Sequence, residues 1–249
     1  GSTDHAMMTD SEIVIVTAGL PRKPGMTRAD VLSTNIPIID DIVHGVMKYA
    51  PDAIVLLVTN PVDVITYHTF IKTGWSRNRI FGQAGVLDSS RMASFIASET
   101  GFSSMDINTM VLGGHGITMV PMLRYCTIAG IPVSKFIEDK RLEAIVERTR
   151  NGGAEILALR QNSSAYDAPA ASVTEMVDSI VHNRNRILPT VCLLEGEYGH
   201  EDIAIGVPAM LGQSGVADII ELDMNESEQA MFDHSAALVR QNLALLKEI

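Results

Sequence analysis

Two short apolar runs on either side of one long helical pattern dominate the first part of this sequence. The β-branched runs at 12–17 and 53–59 each end where polar or glycine residues begin, which is typical of buried parallel strands. Between them, apolar residues recur at helical spacing from Arg28 to Tyr49, and Pro37 predicts a break in that helix. A strand, a helix and a second strand in this order predict an α/β fold with a parallel sheet.

In such a fold, ligands bind at the carboxyl ends of the parallel strands. The segments that follow the two predicted strands are Thr17-Ala18-Gly19 and Thr59-Asn60-Pro61. We therefore expect both segments to lie beside a cofactor.

The pattern changes near Gly85, where we predict a boundary between two domains, 1–85 and 86–249. A helix opens at Asp and Ser residues after Leu87 and closes at Gly101. The remaining pattern predicts strand pieces at 107–112 and 125–133, helices at 139–159 and 169–183, strands at 187–194 and 203–208, and a terminal helix at 225–249. This mixture is typical of an α+β domain.

The overall charge restricts the possible partners. A formal net charge of -11 argues against nucleic acid or an anionic membrane surface, because both would be repelled. The longest apolar runs fall far short of the roughly 20 residues that a membrane helix needs. The two cysteines, Cys126 and Cys192, have no metal-binding spacing, which favours a reduced, cytoplasmic protein with no metal site.

Three cations, Arg22, Lys23 and Arg28, lie in a Gly/Pro-rich loop that leaves the first predicted strand. Such a loop could close as a lid and bring its arginines over an anionic substrate. The alternative is an ordinary solubilising surface run.

His115, between Gly114 and Gly116, is the candidate acid/base. Asp88 and Arg91 are three residues apart and share one face of a predicted helix. A carboxylate can orient and charge an imidazole, and a guanidinium can bind a carboxylate with two parallel hydrogen bonds. The alternatives are a loop histidine, an Asp88 that only caps the helix, and a solvated Arg91.

Six stretches together carry a resemblance to the NAD-dependent malate dehydrogenases of the branch closest to lactate dehydrogenases. They are Thr17-Ala18-Gly19, residues 20–28, Thr59-Asn60-Pro61, residues 82–91, Gly113 to Gly116 with residues 119–121, and Gly206-Val207-Pro208. They span nearly the whole chain in the order of the family. The resemblance implies part of a Rossmann-type parallel sheet followed by an α+β substrate and catalytic domain.

The resemblance also implies a role for each site residue. His115 would donate and accept the proton, Asp88 would orient it, and Arg91 would bind the C1 carboxylate of the substrate. Arg28 would close with the loop to polarise the reacting carbonyl, and Asn60 would contact the substrate and the nicotinamide. Cofactor contacts are implied for Thr17, Ala18, Gly19, Asn35, Val58, Thr59 and Asn60.

Arg22 stands at the loop position that separates malate from lactate enzymes in this family, where arginine pairs with a second carboxylate. The implied reaction is hydride transfer between NAD(H) and malate or oxaloacetate in the tricarboxylic acid cycle. The family also implies a homodimer or homotetramer, with the apolar face of helix 30–49 either in the contact or packed within the subunit.

The sequence departs from the family pattern at three places. The opening strand, the G-x-G-x-x-G turn and the acidic residue that follows are absent, so roughly 60 residues, more than a βαβ unit, are expected to be missing. The pyrophosphate would then lack its helix N-terminus, which leaves NAD binding and activity by this chain open. Ile117 replaces a frequent aspartate, and Asp167 stands where an aromatic residue is commoner.

Three other functions stay open at this stage. A lactate or other 2-hydroxyacid dehydrogenase would share most of these motifs, but Arg22 disfavours it. A non-catalytic remnant of the family would not need the complete set of site residues. An NAD-using glycosidase of related fold would need metal-binding Cys and His, and the sequence pattern fits hydride transfer better.

Overall fold

The computed structural model describes residues 1–20, 26–160 and 165–248, without the side chains of Arg28 and Glu248. The helices of these ranges are α1 Arg28–Tyr49, α2 Val62–Thr73, α3 Gly85–Thr100, α4 Asp139–Arg160, α5 Asp167–Val181 and α6 Glu226–Ala244. The long strands are β1 Ile13–Val16, β2 Ile54–Leu57, β3 Ile80–Gln83, β9 Arg186–Glu195, β10 Glu201–Gly212 and β11 Gly215–Ile219. Short strands are β4 Ile107–Asn108, β5 Val111–Leu112, β6 Val120–Pro121, β7 Thr127–Ile128 and β8 Ile131–Pro132.

The long strands form one six-stranded sheet in the order β1-β2-β3-β9-β10-β11. The first three strands are parallel, with Val14 opposite Val55 and Val55 opposite Ile80. The last three run antiparallel, and β3 joins them where Gly82 lies opposite Val191. This mixed sheet confirms the expected α/β class.

The expected domain boundary near Gly85 coincides with the start of α3. The six-stranded sheet contains strands from both sides of that point. The division into two domains there stays a prediction.

The predicted break of the first helix at Pro37 is wrong. α1 runs without interruption through this proline, which is exposed. Its opposite face buries Leu32, Ile39 and Val43 against the sheet and α2, and this burial offsets the hydrogen bond that a proline cannot donate. Tertiary packing thus overrides the local preference.

The expected opening of the next helix also needs correction. α3 begins at Gly85 and its N-cap is Ala84, so Asp88 lies inside the first turn and is not a capping residue. The predicted end is confirmed, because Gly101 has a φ of 76°, the left-handed conformation that glycine adopts readily.

Among the described helices and strands, four were not predicted from the sequence, namely α2, β3, β6 and β11. β3 has only four residues, and the first five residues of α2 are all buried, so neither shows the periodicity of a half-exposed element. None of the described helices is long and apolar enough to cross a membrane.

Candidate active site

The loop that carries His115 is held from two sides. Gly113 and Gly206 of β10 exchange backbone hydrogen bonds of 2.8 and 3.2 Å. The N–H of Gly114 donates to Ser235 Oγ of α6 at 2.9 Å. Gly113 has a φ of 82°, and a Cβ there would lie 2.9 Å from Ser235 Oγ, so both the turn and the close approach favour glycine.

His115 and Asp88 form a hydrogen-bonded pair. His115 Nδ1 lies 2.8 Å from Asp88 Oδ2, and Asp88 is 1% exposed. Burial by itself lowers the pKa of His115, but the charge and hydrogen bond of Asp88, together with the charge of nearby Asp63, outweigh burial, and the net pKa is raised. With Nδ1 donating to the carboxylate, Nε2 is left to exchange a proton with a ligand.

Arg91 lies one helical turn beyond Asp88 on α3. Its Nη1 donates to Asp88 Oδ1 at 3.3 Å, and its side chain is 15% exposed. The alternative of a solvated Arg91 is therefore wrong. Since a guanidinium has five N–H donors, most of its donors are available to a bound carboxylate.

Asp63 joins this site and was not anticipated from the sequence. Its Oδ2 accepts the backbone N–H of His115 at 3.0 Å, across 52 positions of sequence. Burial raises the pKa of Asp63 to about 6, and Oδ1 has no hydrogen-bond partner among the described residues. The only sequence signal for Asp63 is its position in the first turn of a helix. Acidic residues at that position usually lie in solvent and interact with the helix dipole, so this signal does not predict a buried site residue.

The segments predicted to contact the cofactor meet at the carboxyl ends of β1 and β2. Thr59 Oγ1 donates to the carbonyl of Ala18 at 2.6 Å. Asn35 of α1 accepts the N–H of Leu20 at 2.8 Å and donates to the carbonyl of Asn60 at 3.2 Å. Val58 continues this arrangement, because its N–H donates to the carbonyl of Val16 at 2.9 Å.

This edge of the sheet has groups that suit a bound dinucleotide. Gly19 has a φ of 149°, and a Cβ there would lie 2.7 Å from Thr59 Cγ2. Thr17 and Asn60 are exposed on either side of this bare backbone. Polar groups and an uncovered glycine backbone therefore lie at the carboxyl ends of the parallel strands, where a sheet of this kind binds a cofactor.

α2 connects the two parts of the site. Asn60 precedes the helix by two positions, and Asp63 in its first turn holds the backbone of His115. The cofactor edge and the His115 loop are thus tied to one rigid element.

The side chains of the three predicted loop cations lie outside the described part of the structure. Arg22 lies outside the described residues, as does the neighbouring Lys23. Arg28 is the first residue of α1, and its side chain is not described. Thr27 caps this helix, because its Oγ1 accepts the N–H of Asp30 and the Asp30 carboxylate accepts the N–H of Thr27.

The two single-residue departures from the family pattern have different surroundings. Ile117 is exposed beside the His115 loop. Asp167 begins α5, and its Oδ2 lies 3.4 Å from Arg160 Nη2 at the end of α4. We find no structural reason for either residue type.

Comparison with known proteins gives a consistent result over the whole chain. Residues 1–82 match the family described as lactate/malate dehydrogenase, NAD binding domain, and residues 85–249 match lactate/malate dehydrogenase, alpha/beta C-terminal domain. The malate dehydrogenase of Thioalkalivibrio sulfidiphilus is 62% identical over 99% of this chain and 80% of its own length.

Solved structures give the same family. The malate dehydrogenase of Cryptosporidium parvum superposes with a TM-score of 0.97 at 33% identity, covering 100% of this chain and 81% of that one. A lactate dehydrogenase of the same organism, complexed with lactic acid and nicotinamide adenine dinucleotide, has a TM-score of 0.96 at 35% identity, covering 100% and 80%.

Proposed function

We propose, from the premise that the chain belongs to the lactate/malate dehydrogenase family, that it is an NAD-dependent malate dehydrogenase. It interconverts malate and oxaloacetate. The observation that carries the proposal is the hydrogen-bonded pair of the partly buried His115 and the buried Asp88, with Arg91 one turn away.

His115 moves the proton of this reaction. Protonated at Nε2, it donates to the oxygen of oxaloacetate as the carbonyl is reduced, and the neutral imidazole accepts a proton from malate in the reverse direction. Asp88 holds the ring by Nδ1 and stabilises its charged form. NAD supplies or accepts the hydride when it is bound at the edge formed by β1 and β2.

The arginines bind and polarise the substrate. Arg91 binds the C1 carboxylate through its free guanidinium donors, and Arg28 approaches the carbonyl oxygen as the loop closes. Asn60 orients the substrate and the nicotinamide. The residues around Gly19 bind the cofactor beside it. Closure of the loop excludes water, which strengthens each of these charge interactions.

Arg22 selects the substrate by pairing with the second carboxylate of oxaloacetate. The fold itself does not discriminate, because the malate and lactate enzymes of C. parvum superpose almost equally well on this chain. A lactate or other 2-hydroxyacid dehydrogenase is therefore the second candidate, and Arg22 favours malate.

The assembly and setting belong to the same proposal. The protein acts as a homodimer or homotetramer in the cytoplasm, within the tricarboxylic acid cycle. Its two cysteines are free and buried, which is consistent with a reducing compartment. Light scattering of the purified protein measures the oligomeric state.

The test compares NADH oxidation by the purified protein with oxaloacetate and with pyruvate. We expect oxaloacetate to be preferred, and we expect His115→Asn to lower kcat by about 10²–10⁴-fold, the usual contribution of a general acid. His182→Asn is the control, because His182 is exposed at the end of α5. Preference for pyruvate, or full activity of His115→Asn, would reject the assignment.

A further inference from the structure

Two adjacent glycines, Gly152 and Gly153, lie in the interior of α4. The helix continues through both of them from Asp139 to Arg160. Glycine destabilises a helix interior relative to alanine, because its backbone loses more freedom on folding. A pair of glycines at this place therefore calls for a reason in the packing.

At Gly152 the packing explains the glycine, because this residue is buried against the side chain of Arg91. α3 and α4 pack through Met92, Ile96, Leu142 and Ile145. A Cβ at Gly152 would lie 3.2 Å from Arg91 Cδ and 3.6 Å from Arg91 Nε. The first distance is shorter than ordinary van der Waals contact, so a side chain at this position would displace Arg91.

Gly153 differs from its neighbour in this respect. It is exposed, and a Cβ there would lie 4.0 Å from Arg91 Nη1, an ordinary contact. Only one of the two glycines thus limits the position of the guanidinium.

Asp88 holds Arg91 from the other side. The hydrogen bond from Arg91 Nη1 to Asp88 Oδ1 measures 3.3 Å, and the same carboxylate binds His115 through Oδ2 at 2.8 Å. A shift of Arg91 away from α4 is therefore opposed by a carboxylate that is itself tied to the acid/base.

We propose that Gly152 is a positioning residue for Arg91: the missing side chain lets the stem of Arg91 lie against α4, and this sets the direction of the guanidinium toward the substrate. The inference rests on the proposed function, in which Arg91 binds the C1 carboxylate. Two parallel hydrogen bonds to a carboxylate depend on a planar alignment, so a displacement of a few tenths of an ångström weakens them.

Substitution by alanine separates stability from binding. Gly152→Ala and Gly153→Ala should both raise the melting temperature, because each replaces a helical glycine. Gly152→Ala should raise the KM for oxaloacetate by about 10-fold with little change in kcat, while Gly153→Ala stays within about 2-fold of the original KM. Equal KM values for the two variants would overturn the proposal, and so would a loss of stability in Gly152→Ala with no change in KM.

Arg91→Lys separates failure of this inference from failure of the proposed function. If Arg91→Lys raises KM and Gly152→Ala does not, only the role of Gly152 is rejected. If Arg91→Lys leaves KM unchanged, Arg91 does not bind the carboxylate, and the proposed role of Arg91 is rejected together with that of Gly152. In the Arg91→Lys background, Gly152→Ala should have no further effect on KM, because the two changes then act through one contact.

Discussion

The charge of His115 depends on two neighbouring carboxylates. Burial alone would lower the pKa of His115, but the charge and hydrogen bond of Asp88, together with the charge of Asp63, outweigh burial and raise the net pKa. In the proposed reaction, oxaloacetate reduction needs protonated His115, and malate oxidation needs the neutral ring. The rate of reduction should therefore fall as the pH rises through a pKa above the ordinary value.

Asp88→Asn should lower the pKa of His115 and so move the pH profile of both directions to lower pH. Reduction would lose rate at a lower pH than in the original protein, since the charged imidazole no longer has its partner. Profiles of kcat/KM against pH for the free enzyme measure this shift. Asp106→Asn is a suitable control, because it removes the same charge from an exposed site; a profile that does not move in Asp88→Asn would contradict the proposed pairing.

Substrate choice is expected to depend on Arg22. Arg22→Gln should move the preference from oxaloacetate toward pyruvate by about 10²-fold or more, because a carboxylate left without its charged partner is poorly bound. Ratios of kcat/KM for the two substrates measure the change. Lys23→Gln removes an equal charge from the next residue, and a similar effect of both variants would point to the overall charge of the loop instead.

At the scale of elements, α6 holds the His115 loop through a hydrogen bond, although the helix supplies none of the proposed catalytic residues. Its Ser235 accepts the N–H of Gly114 and donates to Thr118 Oγ1 at 3.3 Å. The helix begins with a reciprocal cap, in which Asn225 accepts the N–H of Glu228 and the Glu228 carboxylate accepts the N–H of Asn225. The stability of this helix and the geometry of the His115 loop are therefore linked.

Asn225→Ala should lower the free energy of unfolding by about 1 kcal/mol, because it removes the cap. The corresponding change in melting temperature is about 2–4 °C for a protein of this size. Ser227→Ala in the first turn of α6 serves as the control, since Ser227 is exposed. Equal melting temperatures for the two variants would show that the cap contributes no stability.

For the whole molecule, the continuous sheet couples the two halves of the chain. β3 pairs with β9 at Gly82 and Gln83, so the parallel and antiparallel parts share one hydrogen-bonded ladder. The second half of the chain contains two thiols, whose reactivity can be measured during unfolding. Burial raises the pKa of Cys126 to about 11 and that of Cys192 further, so both thiols are unreactive in the folded protein.

We expect Trp75 fluorescence and the reactivity of the two thiols to change over the same range of urea concentration. Trp75 is the only tryptophan and packs beside β2 and β3, whereas Cys192 lies in β9. Coincident transitions indicate a single cooperative unit. An earlier transition for Trp75 would show that the region before Gly85 unfolds independently.

The local patterns of the sequence were sufficient for several elements. Short β-branched apolar runs predicted β1 and β2, apolar residues at helical spacing predicted α1, and a glycine at the required left-handed position predicted the end of α3. They failed at Pro37, where burial of the opposite helix face outweighs a missing hydrogen bond. They also failed for α2 and β3, because β3 and the first five residues of α2 are buried throughout and have no exposed positions to create a period.

The sequence by itself determined that the chain is an α/β protein, that it resembles malate dehydrogenases, and that Asp88 and Arg91 share one helix face. Only the tertiary structure decided that this face meets His115, that Asp63 holds the His115 backbone, and that Gly152 makes room for Arg91. The physical reason is the range of the interactions. Helical spacing and turn chemistry act over a few neighbouring residues, whereas these contacts arise from the packing of α2, α3 and α4 around a loop far away in sequence.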